Sequence, residues 1–147
     1  MKIEEFYKEM GGEIKEFEKF GGKLEKGYEF SYEKKIEDVD VRLFGLISGD
    51  LNPIHFDEDV ASKTKFKGRV VHGMLTTSLI SAALARLPGI VVLLETHFLY
   101  KAPVRIGDRV KVKGIVEEAE KNRYRISISC LVGEREVAEG WARILVW

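Results

Sequence analysis

Gly73-Met74-Leu75-Thr76-Thr77-Ser78-Leu79-Ile80-Ser81-Ala82-Ala83-Leu84-Ala85-Arg86 is apolar nearly all round and carries no charge before its last residue, so it reads as a helix buried on most faces. Pro88-Gly89 stops it. Downstream, residues 90–102, 110–118, 124–132 and 137–147 are β-rich, and Gly107-Asp108, Lys121-Asn122 and Gly133-Glu134 supply turns between them. One long apolar helix followed by consecutive strands predicts an α+β arrangement in which a curved antiparallel sheet wraps around that helix.

Working upstream, Tyr28, Phe30 and Tyr32 alternate with Glu29, Ser31 and Glu33, the period-two pattern of a half-buried strand that begins the core domain. Asp38 is placed to cap a helix through Val39, Val41, Leu43, Phe44 and Ile47, which Gly49 ends. Before that strand, residues 1–26 carry Ile3, Phe6, Tyr7, Met10, Ile14, Phe17 and Phe20 at mostly helical spacing, broken by Gly11-Gly12 and closed by Gly21-Gly22. The expected organisation is therefore an amphipathic helical extension of one or two helices over 1–26 and a single domain over 27–147.

A chain of 147 residues fits one core, and 45% hydrophobic against 33% charged residues is enough to fill it beneath a charged surface. Lys+Arg and Asp+Glu both number 24, which removes the broad attraction that nonspecific binding to nucleic acid or an anionic membrane needs. No stretch reaches the roughly 20 apolar residues of a membrane span, and the charged N-terminus lacks the apolar centre of a signal peptide. Cys130 has no disulfide partner and sits in the alternating run Ile126, Ile128, Cys130, Val132, so it reads as a small core residue in a cytoplasmic protein. Abundant Lys and Glu with few Met lean toward a heat-adapted source.

Chemistry concentrates between the two central helices, in Ile47-Ser48-Gly49-Asp50-Leu51-Asn52-Pro53-Ile54-His55-Phe56-Asp57. Gly49 permits a sharp turn, and Pro53 fixes its own φ and forces Asn52 into an extended conformation, so the loop is stiff enough to aim side chains. Asp50 and His55 could then converge on one small molecule. A structural reading competes: Asp50 accepting loop N–H bonds, Asn52 forming an Asx-turn, and Asp57 capping a short helix through Val60 and Ala61. Spacing alone leaves Asp50 and His55 open between the two.

Ser48-Gly49-Asp50-x-Asn52-Pro53-Ile54-His55, followed by Val70-Val71-His72-Gly73-Met74-Leu75, resembles the hydratase motif of the MaoC-like (R)-specific enoyl-CoA hydratases, over residues 27–147. The resemblance implies the hot-dog fold, at least a homodimer with its acyl tunnel near the interface, and a hydro-lyase. Such an enzyme adds water to trans-2-enoyl-CoA to give (R)-3-hydroxyacyl-CoA. It also implies Asp50 and His55 as the catalytic dyad that handles the water, and the backbone N–H of Gly73 as the oxyanion donor at the start of the central helix. Asn52 supports the loop or the water, Ser81 occupies a position where related hydratases carry a polar residue, and His72 shapes the oxyanion loop or serves the structure.

Lys63, Lys65, Lys67 and Arg69 crowd one loop and are either solvated charge or a site for the phosphates of coenzyme A or a phosphopantetheine carrier. That carrier enters as part of the substrate, and no separate cofactor is expected. His97 reads as a sheet-surface or interface residue, and the three histidines lack the spacing of a zinc site. Rival readings are a (3R)-hydroxyacyl dehydratase acting on acyl-carrier-protein thioesters, an acyl-thioesterase, and a noncatalytic acyl-thioester-binding subunit. Acyl length would depend on where Leu79, Leu84 and Leu94 meet the chain.

Overall fold

The computed structural model describes residues 1–147. In chain order the elements are α1 (Ile3–Glu9), β1 (Glu29–Lys35), α2 (Asp38–Ser48), α3 (Pro53–Phe56), α4 (Glu58–Ser62), α5 (Gly73–Ala85), β2 (Val91–Tyr100), β3 (Arg109–Glu120), β4 (Arg123–Val132) and β5 (Arg135–Val146). The strands form one antiparallel sheet in the order β1-β3-β4-β5-β2. Strict alternation decides its faces: Val110, Val112 and Val116 point inward from β3 while Lys111, Lys113 and Ile115 point outward.

The pairing aligns Tyr32, Val112, Cys130 and Ala138 in one inward row across four strands. A neighbouring row runs Phe30, Gly114, Ile128, Gly140 and Phe98. Helix α5 lies against that inner face through Leu75, Leu79, Ile80, Ala83 and Leu84, all in the main core cluster. Burying each of the leucines and the isoleucine contributes about 1.5–3 kcal/mol relative to leaving it exposed. The arrangement is the expected hot-dog, and no helix is long and apolar enough to cross a membrane. Cys130 is fully buried, as its alternation required, and burial pushes its thiol up to about 12, far from a nucleophile's range.

Local departures from the sequence reading have identifiable causes. Helix α5 is not covered all round: Gly73, Met74, Ser78 and Ser81 are exposed, and the edge strand β2 likewise exposes Val92, Leu93, Leu94 and Leu99. The cap of α2 is Glu37, whose N–H donates to Asp40 Oδ2 at 2.7 Å, and Asp38 is the first helical residue. Asp57 does cap α4, accepting from the Val60 N–H at 3.1 Å.

Of the extension, only Ile3–Glu9 is helical, because tertiary hydrogen bonds replace local ones beyond it. Lys19 Nζ donates to the carbonyls of Ala85, Leu87 and Gly89, supplying positive charge and donors where the ending α5 leaves its C=O groups unpaired. Arg86, buried between the Phe17 and Tyr32 rings, donates to Glu16 O, and Glu13 holds Arg109 with both carboxylate oxygens. Tyr7 donates to the buried Asp40 carboxylate at the start of α2.

Candidate active site

Helix α2 ends because Gly49 adopts φ +82°, which a glycine takes without strain, and the chain turns directly into Asp50. Short-range bonds then stiffen the loop. The Asp50 N–H donates to Ser48 Oγ at 3.1 Å, the Asn52 N–H to Asp50 Oδ1 at 3.2 Å, and the Ile54 N–H to Asn52 Oδ1 at 3.4 Å. Pro53, with no N–H to lose, is the first residue of α3, and Asn52 caps it as the expected Asx-turn. So the structural reading of Asn52 holds, and the structural reading of Asp50 holds for one oxygen only.

His55 lies in the single turn of α3. Its Nδ1 is 2.7 Å from Val70 O, and since a carbonyl only accepts, Nδ1 carries the proton. The neutral ring therefore presents an unprotonated Nε2, and Nε2 faces Asp50 Oδ2 at 4.0 Å. The imidazole is largely enclosed, 12% exposed, whereas the Asp50 side chain is 48% exposed. Burial lowers the His55 pKa below its usual value, the Val70 carbonyl opposes this, and His72 and Asp50 act weakly in opposite senses.

His72 is buried at 1% exposure, stacked on His55 with ring centroids 3.8 Å apart and edged by Phe44 and Phe56. Its Nε2 donates to the Asp50 carbonyl at 3.0 Å, so it fixes the main chain of the loop from beneath. That is the structural role among its two readings. Ligand atoms of Asp50, His55 and His72 lie within 4.8 Å of one another. The two rings are stacked at 27°, and with His55 Nδ1 and His72 Nε2 each bonded to a carbonyl, one nitrogen per ring is left free.

A cavity of ≈ 440 Å³ opens beside His55, lined by Asn52, His55, Gly73, Thr76, Tyr100 and Val137 among others, with Asp50 outside its wall. Gly73 is the first residue of α5, so its N–H has no partner inside the helix and sits at the positive end of the dipole. A Cβ there would stand 2.9 Å from the Tyr100 ring, which explains glycine at this position. Tyr100 reaches across from β2 and its hydroxyl is 3.1 Å from Thr77 Oγ1. Sequence reasoning missed Tyr100 and Thr76 as residues of this wall, since local spacing does not announce which strand residue meets which helix residue. A larger groove of ≈ 890 Å³ runs over Phe20, Tyr28, Lys111 and Ser129, with no histidine in its wall.

The remaining sequence candidates scatter. Ser81 is exposed on α5, two turns beyond Gly73 and off the cavity wall. The basic loop does not act as one patch: Lys65 lines the cavity, Lys63 is the exposed C-cap of α4, and Lys67 lines a separate cleft. Arg69 is withdrawn from the phosphate set by its hydrogen bonds to His55 O and Asp38. His97 is exposed and stacked on Trp141 on the outer sheet surface.

The geometry has counterparts among known proteins. The sequence profile of the MaoC like domain matches residues 19–139, starting inside the N-terminal extension rather than at its end. A 3-hydroxybutyryl-CoA dehydratase of Methylorubrum extorquens is 43% identical over 84% of this chain and 81% of its own. An (R)-specific enoyl-CoA hydratase of Rhodospirillum rubrum is 40% identical over 84% of this chain and 88% of its own. A crystallised protein of Archaeoglobus fulgidus is 62% identical, superposes with a TM-score of 0.98, and aligns over 99% of this chain and 93% of its own.

Proposed function

Because this chain belongs to the MaoC-like domain family, we propose that it is a hydro-lyase adding water reversibly to trans-2-enoyl-CoA to give (R)-3-hydroxyacyl-CoA. The observation that carries the reading is the pairing of a carboxylate with an imidazole whose other nitrogen is already committed. Asp50 Oδ2 and neutral His55 Nε2 both accept hydrogen bonds and neither donates, so a molecule bridging them must bring two hydrogens. Water does. Two arms of about 2.8 Å spanning the gap meet at an angle of about 90°, close to that between the O–H bonds of water.

In hydration, the water oxygen bonds to C3 of the enoyl thioester while one member of the pair takes its proton. The pair then returns a proton to C2 on the same face. Asp50 and His55 share these steps, so base and acid are assigned to the dyad rather than to its members. As electrons move from the double bond toward the thioester, negative charge gathers on its oxygen, and the Gly73 N–H at the helix start stabilises it. Asn52 keeps the loop in shape. Coenzyme A, or a phosphopantetheine arm, enters with the substrate, and no resident cofactor is required for this chemistry.

Lys65, the one lysine of its loop on the cavity wall, is the residue positioned to meet the carrier's phosphates. Lys65→Ala should raise KM for an enoyl-CoA by about threefold at low salt, leave kcat unchanged, and lose its effect at high salt. Unaltered KM at low salt excludes that role. The exposed edge of β2 and the exposed side of α5 meet at Tyr100 and Thr77 and suit a second copy of the chain, giving a homodimer.

Incubation with crotonyl-CoA should bleach the conjugated absorbance and yield the (R)-3-hydroxy product by chiral analysis. Free thiol release would instead identify a thioesterase, inertness a noncatalytic binding subunit, and turnover confined to the acyl-carrier-protein thioester a dehydratase of fatty-acid synthesis. Protonating His55 removes the Nε2 lone pair, so kcat/KM must fall on the acid side. Because burial depresses that pKa, the acid limb lies below the roughly 6.5 of an ordinary histidine, and activity is level at neutral pH. A limb above 6.5 contradicts the arrangement.

A further inference from the structure

Helix α3 is a single turn of four residues, too short to hold itself in place, yet it carries the imidazole on which the proposed chemistry depends. Something outside it must fix His55. Two consecutive residues of the loop before α5 do so. Val70 accepts the ring proton at its carbonyl (2.7 Å) and donates its N–H to Ile54 O (3.3 Å). Arg69 donates through Nε to His55 O at 2.7 Å and, through a second nitrogen of the same fork, to Asp38 Oδ1 at 2.6 Å. Asp38 belongs to the first turn of α2, and its other oxygen is held by Arg42 at 2.7 Å.

The guanidinium thus ties the helix before the catalytic loop to the helix after it. It is 18% exposed, so the bridge is partly shielded from solvent. Burial of Asp38 acts against ionisation, but its bonds to Arg42 and Arg69 keep the carboxyl below its usual range, so the charge persists at neutral pH.

We infer that Arg69 is a positioning residue for His55: by bridging the His55 carbonyl to the Asp38 carboxylate, it holds Nε2 toward Asp50. The inference rests on the hydratase reading for its kinetic consequence and departs from the expectation that Arg69 binds carrier phosphate. A rigid planar fork is what the bridge requires. Lysine keeps the charge but is a point donor on a flexible stem and cannot reproduce two bonds at fixed directions.

Arg69→Lys therefore separates the two roles. With crotonyl-CoA it should lower kcat by about 10- to 100-fold, the range expected for misplacing a catalytic group, with KM within about twofold. In the His55→Gln background the same change should cost less than about twofold, because the group it positions is gone. Asp38→Asn, which leaves the guanidinium in place, should lower kcat in the same direction, and it carries the test should Arg69→Lys fail to fold. Nitrogen NMR of His55 should show one tautomer, protonated at Nδ1, in the wild type and a mixture in Arg69→Lys. A raised KM with unchanged kcat, or an equal loss of kcat in the His55→Gln background, overturns the inference. Wild-type protein inert toward enoyl thioesters defeats the hydratase reading instead, and a tautomer unchanged in Arg69→Lys then still overturns the clamp.

Discussion

Asp50→Asn and His55→Gln should each lower kcat for enoyl-CoA hydration by about 10²–10⁴-fold, while melting temperature and thioester binding should stay close to wild type. The split follows from which bonds each side chain makes. Asp50 uses Oδ1 for the Asn52 N–H, and asparagine retains an oxygen there. What it loses is the second acceptor: an amide NH₂ facing Nε2 presents hydrogens where the bridging water must place its own. Because Asp50 is half exposed, no buried charge is stranded and the fold pays little. For His55, glutamine cannot both satisfy Val70 O and offer a basic nitrogen. Since the two groups grip one water, the double variant should be little worse than either single one. Turnover near wild type in either variant would remove the dyad from the mechanism.

The second large effect concerns an N–H. Gly73→Pro should reduce kcat by about 10²–10³-fold, the loss measured when one oxyanion donor is removed elsewhere. Proline is tolerated at the first helical position, and His72 before it has φ −53° and ψ +131°, which a following proline accepts, so α5 survives the change. Added carbon does bring a clash with the Tyr100 ring, so Gly73→Ala is the control. Alanine keeps the N–H and meets the same ring, which is half exposed and able to swing, and its kcat should drop only about tenfold or less. Steady-state kinetics on the two variants, with helicity checked by circular dichroism, measures the difference. Equal losses would mean that the ring contact, not the N–H, accounts for the effect.

Patterns of short range were readable in the chain, and contacts between distant segments were not. Alternation along 110–116 and 126–130 announced the strands and their inner face, and the uncharged run after Gly73 announced the central helix. Gly49 and Pro53 announced a stiff loop, and Asp57 its cap. The extension misled because Phe17 and Phe20 fall at helical spacing, yet Glu16, Lys19 and Phe20 are bonded to the end of α5, about 70 residues away, and those bonds override propensity. Charge composition groups Arg69 with a loop that reads as solvated charge or a phosphate site, whereas its partner Asp38 lies far upstream and no local pattern links them. Likewise the distinction between His55 and His72 rests on which carbonyl each nitrogen meets. Residue type and spacing cannot encode that.

Hydration of crotonyl-CoA in deuterium oxide probes the shared water most directly. If a single molecule held by Asp50 and His55 supplies both new groups, one deuterium enters C2 on the same face as the hydroxyl at C3, in an (R)-configured product. Deuterium on the opposite face, or scrambled between the two, would mean that separate groups deliver oxygen and proton and that the pair does not act on one water.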